Sequence, residues 1–217
     1  MIKKFILTIL FTLVLSGGAY AECIKGNCLN GIGTYLFPEG EKYVGSFIQS
    51  KRQGFGIYTF PSGAKYSGDF YENLKHGKGT YIFSNGTTYV GQFKNDKFHG
   101  YGTFTYPSGE EYSGEFIENK REGQGTLITP NGFKYVGNFL DNKFHGYGIL
   151  TTANGSKYEG DWMNNYQHGK GTYIWSNGDR YDGEFKFNKM DGFGIFTYQN
   201  GKVIEGFWKE DNLVKKR

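Results

Sequence analysis

From residue 43 onward the chain repeats one short wave of apolar and polar positions. Tyr89-Val90-Gly91-Gln92-Phe93 alternates with period two, a polar stretch runs from Lys94 to His99, and Gly100-Tyr101-Gly102-Thr103-Phe104-Thr105-Tyr106 alternates again. Alternation over this length marks half-buried strands, so each wave predicts a β-hairpin. The wave recurs every 23 residues, with Tyr43, Tyr66, Tyr89, Tyr112, Tyr135, Tyr158 and Tyr181 in one column and Ile204 continuing the phase. Four residues further on, Phe47, Phe70, Phe93, Phe116, Phe139, Trp162, Phe185 and Trp208 form a second column. A fixed period of this size predicts stacked units that touch only their neighbours. The expected fold is all-β, an elongated single-sheet solenoid of stacked antiparallel β-hairpins.

Glycine punctuates the same wave. Of the 33 glycines after residue 21, all but Gly26 fall into four columns, and Pro38, Pro61, Pro107 and Pro130 share another. Units are joined by Pro-Ser-Gly or Asn-Gly turns such as Asn85-Gly86 and Asn154-Gly155. Asn-Gly favours the tight turn with positive φ at both central residues, and that is the geometry expected here. The turn also accounts for Asn85-Gly86-Thr87 and Asn154-Gly155-Ser156 without invoking glycan attachment. Parity places the Tyr, Gly and Phe columns on one side of the pleat, with Gly100, Gly102, Phe104 and Tyr106 sharing a side in the second strand. Each ring is therefore expected over a glycine, which has no Cβ to obstruct it. Two strands per unit rise roughly 9–10 Å, which gives a rod or trough on the order of 70 Å long.

The first 21 residues read as an address. Met1 to Lys4 are basic, Phe5 to Leu15 are apolar, and Ala19-Tyr20-Ala21 offers the small residues a signal peptidase needs. The apolar run falls short of the roughly 20 residues that span a bilayer. Neither Tyr20 nor Glu22 suits lipid attachment at Cys23. Cleavage after Ala21 and export to the periplasm or medium follow as expectations. The chain then divides into a leader over 1–21, a cap with a partial repeat over 22–42, full repeats over 43–203, and a half repeat with a charged tail over 204–217. Cys23 and Cys28 are the only cysteines. In an exported chain such a pair predicts a disulfide.

At this point the residues resemble a known family. Tyr-x-Gly-x-Phe/Trp, a polar turn, His-Gly-x-Gly-Thr-Tyr and an Asn-Gly turn are similar to the membrane occupation and recognition nexus (MORN) repeat. The resemblance covers 43–203 fully and 30–42 and 204–208 in part. It implies scaffolding, dimerisation or localisation, with lipid binding often proposed. The kinase or methyltransferase domains that accompany some members have no counterpart here, because repeats occupy nearly the whole chain.

Composition narrows the chemistry. A formal charge of +4 falls to +2 without Lys3 and Lys4, which gives no nucleic-acid footprint. Aromatic residues at 19% can support a packed core, which argues against disorder. His76, His99, His145 and His168 all precede the same glycine column, where Gln53, Glu122 and Asp191 stand in other units, so they read as structural or solvated turn residues. No catalytic set, metal ligand set or cofactor motif emerges. What varies between units is more informative. Phe98 with Tyr101, Phe144 with Tyr147 and Met190 with Phe193 recur every 46 residues, where other units carry Arg52, Lys75, Arg121 or Gln167 in the first of these positions. Two readings stand: extra packing across hairpin turns, or an exposed stripe kept for a partner. The favoured function is a non-catalytic scaffold for another envelope or secreted protein. A glycan-binding trough and peripheral lipid binding are the alternatives, and self-association stays open.

Overall fold

The computed structural model describes residues 20–217. The leader expected over 1–21 lies almost wholly outside the described residues. Among the described residues, eighteen strands follow one another in a single antiparallel sheet, each bonded to the next in chain order. β1 (Glu22–Gly26) and β2 (Gly31–Leu36) form the first hairpin, and β3 (Lys42–Ile48) with β4 (Lys51–Thr59) sets the pattern for the rest. The last hairpin pairs Val203–Lys209 with Asn212–Lys216. At ordinary strand spacing the sheet extends roughly 80 Å.

The core is a ladder on one face, and among the described residues no second sheet or helix layer covers it. The seven column tyrosines from Tyr43 to Tyr181 are at most 1% exposed. Each ring meets its own Phe or Trp and that of the next unit edge-on: Tyr66 lies 5.1 Å from Phe70 and 4.9 Å from Phe93. Tyr158 sits likewise between Trp162 and Phe185, at 5.1 Å from each. Edge-to-face contacts satisfy the ring quadrupoles and run without a break from Tyr43 to Trp208.

The glycines make this possible. Gly91 pairs with Gly102, Gly102 with Gly114, and the pairing continues from Gly33 to Gly206 as a side-chain-free spine across the sheet. The tyrosines lie on that spine. A Cβ at Gly91 would stand 2.5 Å from the Tyr89 hydroxyl and 2.6 Å from the Gly102 Cα, so only glycine fits. Each hydroxyl donates to a backbone carbonyl three residues on, as Tyr89 does to Gln92 at 2.9 Å. Burial raises the Tyr43, Tyr89 and Tyr181 phenols from 10.0 to about 12, and shifts the other four in the same direction.

The turns differ from the sequence expectation. The tight turn with two positive φ values falls at the other end of the hairpin, at pairs such as Asn95-Asp96 (φ 51° and 68°) and Asp141-Asn142 (50° and 68°). The polar stretch is thus a two-residue loop, and the strand resumes at Lys97. At Asn85-Gly86 only the glycine has positive φ. There Gly86 N–H donates to Phe83 O at 3.0 Å and Phe83 N–H to Thr87 O at 2.8 Å, a wider loop that glycine closes. The strand pairing also bulges: Gln92 alone faces His99-Gly100-Tyr101, and Gly100 takes φ 61°.

Candidate functional site

The sheet has two faces of different character. On the ladder face, one more column lies over the tyrosines: Arg52, Lys75, Phe98, Arg121, Phe144, Gln167 and Met190. Phe98 approaches Tyr89 at 4.2 Å, and Phe144 stacks on Tyr135 at 3.7 Å and 11°. Arg121 puts its guanidinium 5.2 Å from the Tyr112 ring, and Lys75 puts its ammonium 6.0 Å from Tyr66. Rings and cations do the same work here, covering a tyrosine from outside. Met190 is buried. Phe98, Phe144 and Met190 therefore belong to the ladder face and pack against the core.

Tyr101, Tyr147 and Phe193 stand on the opposite, open face. The six stripe residues are thus split between two surfaces, because positions three apart on a strand point opposite ways. Tyr101 and Tyr147 are 62% and 52% exposed, and Phe55, in the same column, is 59% exposed. Phe55 is hard to pick out in the sequence because its unit carries Arg52 where the others carry Phe98 or Phe144. Phe55, Tyr101, Tyr147 and Phe193 thus form a row with one aromatic every second hairpin, a spacing of roughly 19 Å for four strands. Lys78, Gln124 and Lys170 fill the intervening positions. Shallow bays separate the rings: about 510 Å³ between Phe55 and Tyr101, and about 480 Å³ between Tyr147 and Phe193.

Carboxylates border the rings. Asp69 pairs across from Phe55, Glu115 from Tyr101 and Asp161 from Tyr147. They also serve the bulges, as Asp161 accepts from Lys170 N–H at 3.0 Å. Tyr147 donates to Glu159 at 2.6 Å, and this bond raises the Tyr147 phenol above its ordinary range. The Lys157 ammonium and the same tyrosine hold Glu159 below the usual carboxylate range. Towards the C-terminal end the face carries Glu159, Asp161, Asp182, Glu184 and Glu205.

The histidines sit beside the bulge glycine. Nδ1 of His76, His145 and His168 is buried with no hydrogen-bond partner among the described residues, so they are half-buried strand residues more than solvated turn residues. Among the described residues no cluster of three His, Cys, Asp or Glu could hold a metal ion.

At the N-terminal end Cys23 and Cys28 are joined in a disulfide, with Cα atoms 5.9 Å apart. The first strand of this unit is present as β1, and the bridge ties it to the loop before β2.

A second row escaped the sequence reading. The last residue of each tight turn from Asn73 to Asp211 reaches back to the preceding hairpin. Asn119 Oδ1 accepts from Phe98 N–H at 2.8 Å, and Asn119 N–H donates to Phe98 O at 3.0 Å. The same pair of bonds joins Asn165 to Phe144 and Asn188 to Gln167. These clamps fasten each unit to the one before it.

The MORN repeat profile matches residues 43–65, 66–88, 89–111, 112–134, 135–157, 158–180 and 181–203. Comparison with characterised sequences finds no match. Among solved structures the chain is similar to the G-box domain of the microcephaly protein CPAP, at 13% identity and TM-score 0.52, over 88% of this chain and 100% of that one. It is also similar to the TCP10 domain of Danio rerio CPAP, at 14% identity and TM-score 0.46, over 86% and 89% of the two chains. A third is the Drosophila melanogaster SAS-4 TCP domain in complex with a proline-rich motif of Ana2, at 14% identity and TM-score 0.35, over 87% and 90%. The first likeness bears on the fold alone.

Proposed function

The chain belongs to the MORN repeat family, and from that premise we propose that it is a non-catalytic scaffold whose open face holds another protein of the cell envelope or medium. Repeats of this family serve protein and membrane interaction. One observation carries the choice of face and partner: the aromatic row Phe55, Tyr101, Tyr147 and Phe193, three of whose rings are more than half exposed. Exposed aromatics spaced along a rigid surface are the anchors protein interfaces concentrate their energy in. On this face carboxylates are interleaved with the lysines, as Glu159 is with Lys157, so it offers no cluster of cations for an anionic lipid surface. The leader-like start and the Cys23–Cys28 bridge support a place outside the reducing cytoplasm.

The test is a pull-down from envelope extract and culture medium with wild type and the Tyr101→Ser/Tyr147→Ser double variant. The variant should lose the partner while its unfolding free energy stays within the roughly 0.5 kcal/mol typical of surface changes. Equal capture by both proteins would refute the reading. The first residue of the chain recovered from the producing cell should be Glu22, and retention of Met1 would refute export.

A further inference from the structure

The ladder loses its first rung. Tyr20 is 23 residues before Tyr43, in phase with the column, yet it is 81% exposed and makes no ring contact among the described residues, and cleavage after Ala21 would remove it altogether. Leu29, which stands where Arg52 and Phe98 stand in later units, is 59% exposed. The ladder face therefore opens at its capped end into a cavity of about 740 Å³, lined by Cys28, Leu29, Tyr35, Phe37, Phe47 and Arg52 among others. Asn27, Ser50 and Asn73 complete the polar part of the lining, and a hollow of that size with a largely aromatic wall, a few polar groups and one cation suits a small molecule.

Arg52 decides what such a site would take. Its guanidinium lies 4.9 to 5.9 Å from four rings, those of Phe37, Tyr43, Tyr58 and Phe70. Nη2 donates to Asn73 O at 2.6 Å. None of the ion pairs among the described residues includes Arg52, whereas Lys75 in the next unit is paired with Asp96 at 3.4 Å. The cavity lining contains no carboxylate, and Glu41 and Glu39, which act on the neighbouring Tyr58, form no ion pair with Arg52. A guanidinium held by rings at the edge of an apolar hollow keeps several N–H donors for an oxygen anion.

We propose that the cavity at the disulfide-capped end binds an organic monocarboxylate, its apolar body against Tyr35, Phe37 and Phe47 and its carboxylate on Arg52. A single cation suits one negative charge, and the planar guanidinium matches a carboxylate in two parallel hydrogen bonds. This site is on the ladder face and does not depend on the protein-binding reading of the open face.

Calorimetric titration of the disulfide-bonded protein with 4-phenylbutyrate, 4-phenylbutanol and 4-phenylbutylamine tests it. Wild type should bind the acid roughly tenfold or more tightly than the alcohol, the amount a charge-assisted hydrogen bond contributes, and should bind the amine weakest. In Arg52→Met and Arg52→Gln the acid and the alcohol should bind alike. Met190 and Gln167 occupy the same column elsewhere in this chain, so both variants suit the fold. Arg121→Met, whose arginine covers Tyr112 without lining the cavity, should keep the wild-type preference. Equal affinity of wild type for acid and alcohol, no binding of either, or an equal loss in Arg121→Met would each overturn the proposal.

Discussion

The two faces of this sheet obey one period but different rules. On the ladder face every unit from Tyr43 to Tyr181 carries the same ring on the same pair of glycines, because any Cβ on the spine would collide with it. On the open face the column from Phe55 to Phe193 alternates between aromatic side chains and Lys or Gln without disturbing a backbone contact. The difference teaches where a repeat is constrained. Packing fixes residues at each unit on one side, and the other side is free to vary at a longer interval.

The sharpest way to break this contrast is alkali. Each ladder phenol has a folded pKa above its unfolded value, so the neutral form stabilises the fold fully below pH 10, and this contribution is lost as pH rises through about 12. Deprotonation would also remove the hydroxyl donor that caps a backbone carbonyl. Circular dichroism should show cooperative loss of the sheet between these limits. Survival of the fold above pH 12 would mean that the rings are not held as described.

A single rung comes next. Tyr89→Ala should cost about 3–5 kcal/mol, as truncation of a buried aromatic does. In a quasi-linear array that loss should open the neighbouring hairpins first, which hydrogen exchange would resolve as faster exchange around Phe93 and Phe116. A loss as small as that of Tyr101→Ser would erase the distinction between faces. Smaller still is the clamp. Asn119→Ala removes one hydrogen bond to Phe98 N–H and a residue tolerant of positive φ, for about 1–2 kcal/mol by denaturant titration.

Much of the ladder was legible in the sequence because it depends on parity and on the absence of a side chain, and both can be read from a column of letters. The stripe divides because parity alternates along a strand: Phe98 and Tyr101 share a motif but not a surface, so the packing reading holds for the first and the exposed reading for the second. The equivalence of Arg52, Arg121 and Phe98 was hidden for a chemical reason. A planar guanidinium and a phenyl ring both cover a tyrosine face, yet one scores as polar and the other as apolar. The clamps were invisible because each joins a turn side chain to a backbone N–H in the preceding unit, as Asn119 does to Phe98, and a backbone group leaves no mark in the sequence. The tight turn was assigned to Asn-Gly because glycine is the usual carrier of positive φ. Here Asn95-Asp96 and its equivalents adopt it instead, held by the clamp to the unit behind.

The alternation on the open face makes this chain a measuring stick whose smallest increment is two hairpins. Duplicating one unit would extend the ladder by another rung but throw the rings beyond the insertion out of step with those before it. Duplicating a pair would preserve the step and add one ring roughly 19 Å further along. Relatives that kept the same partner would then be expected to differ in length by multiples of 46 residues, whereas the packing alone would accept any multiple of 23.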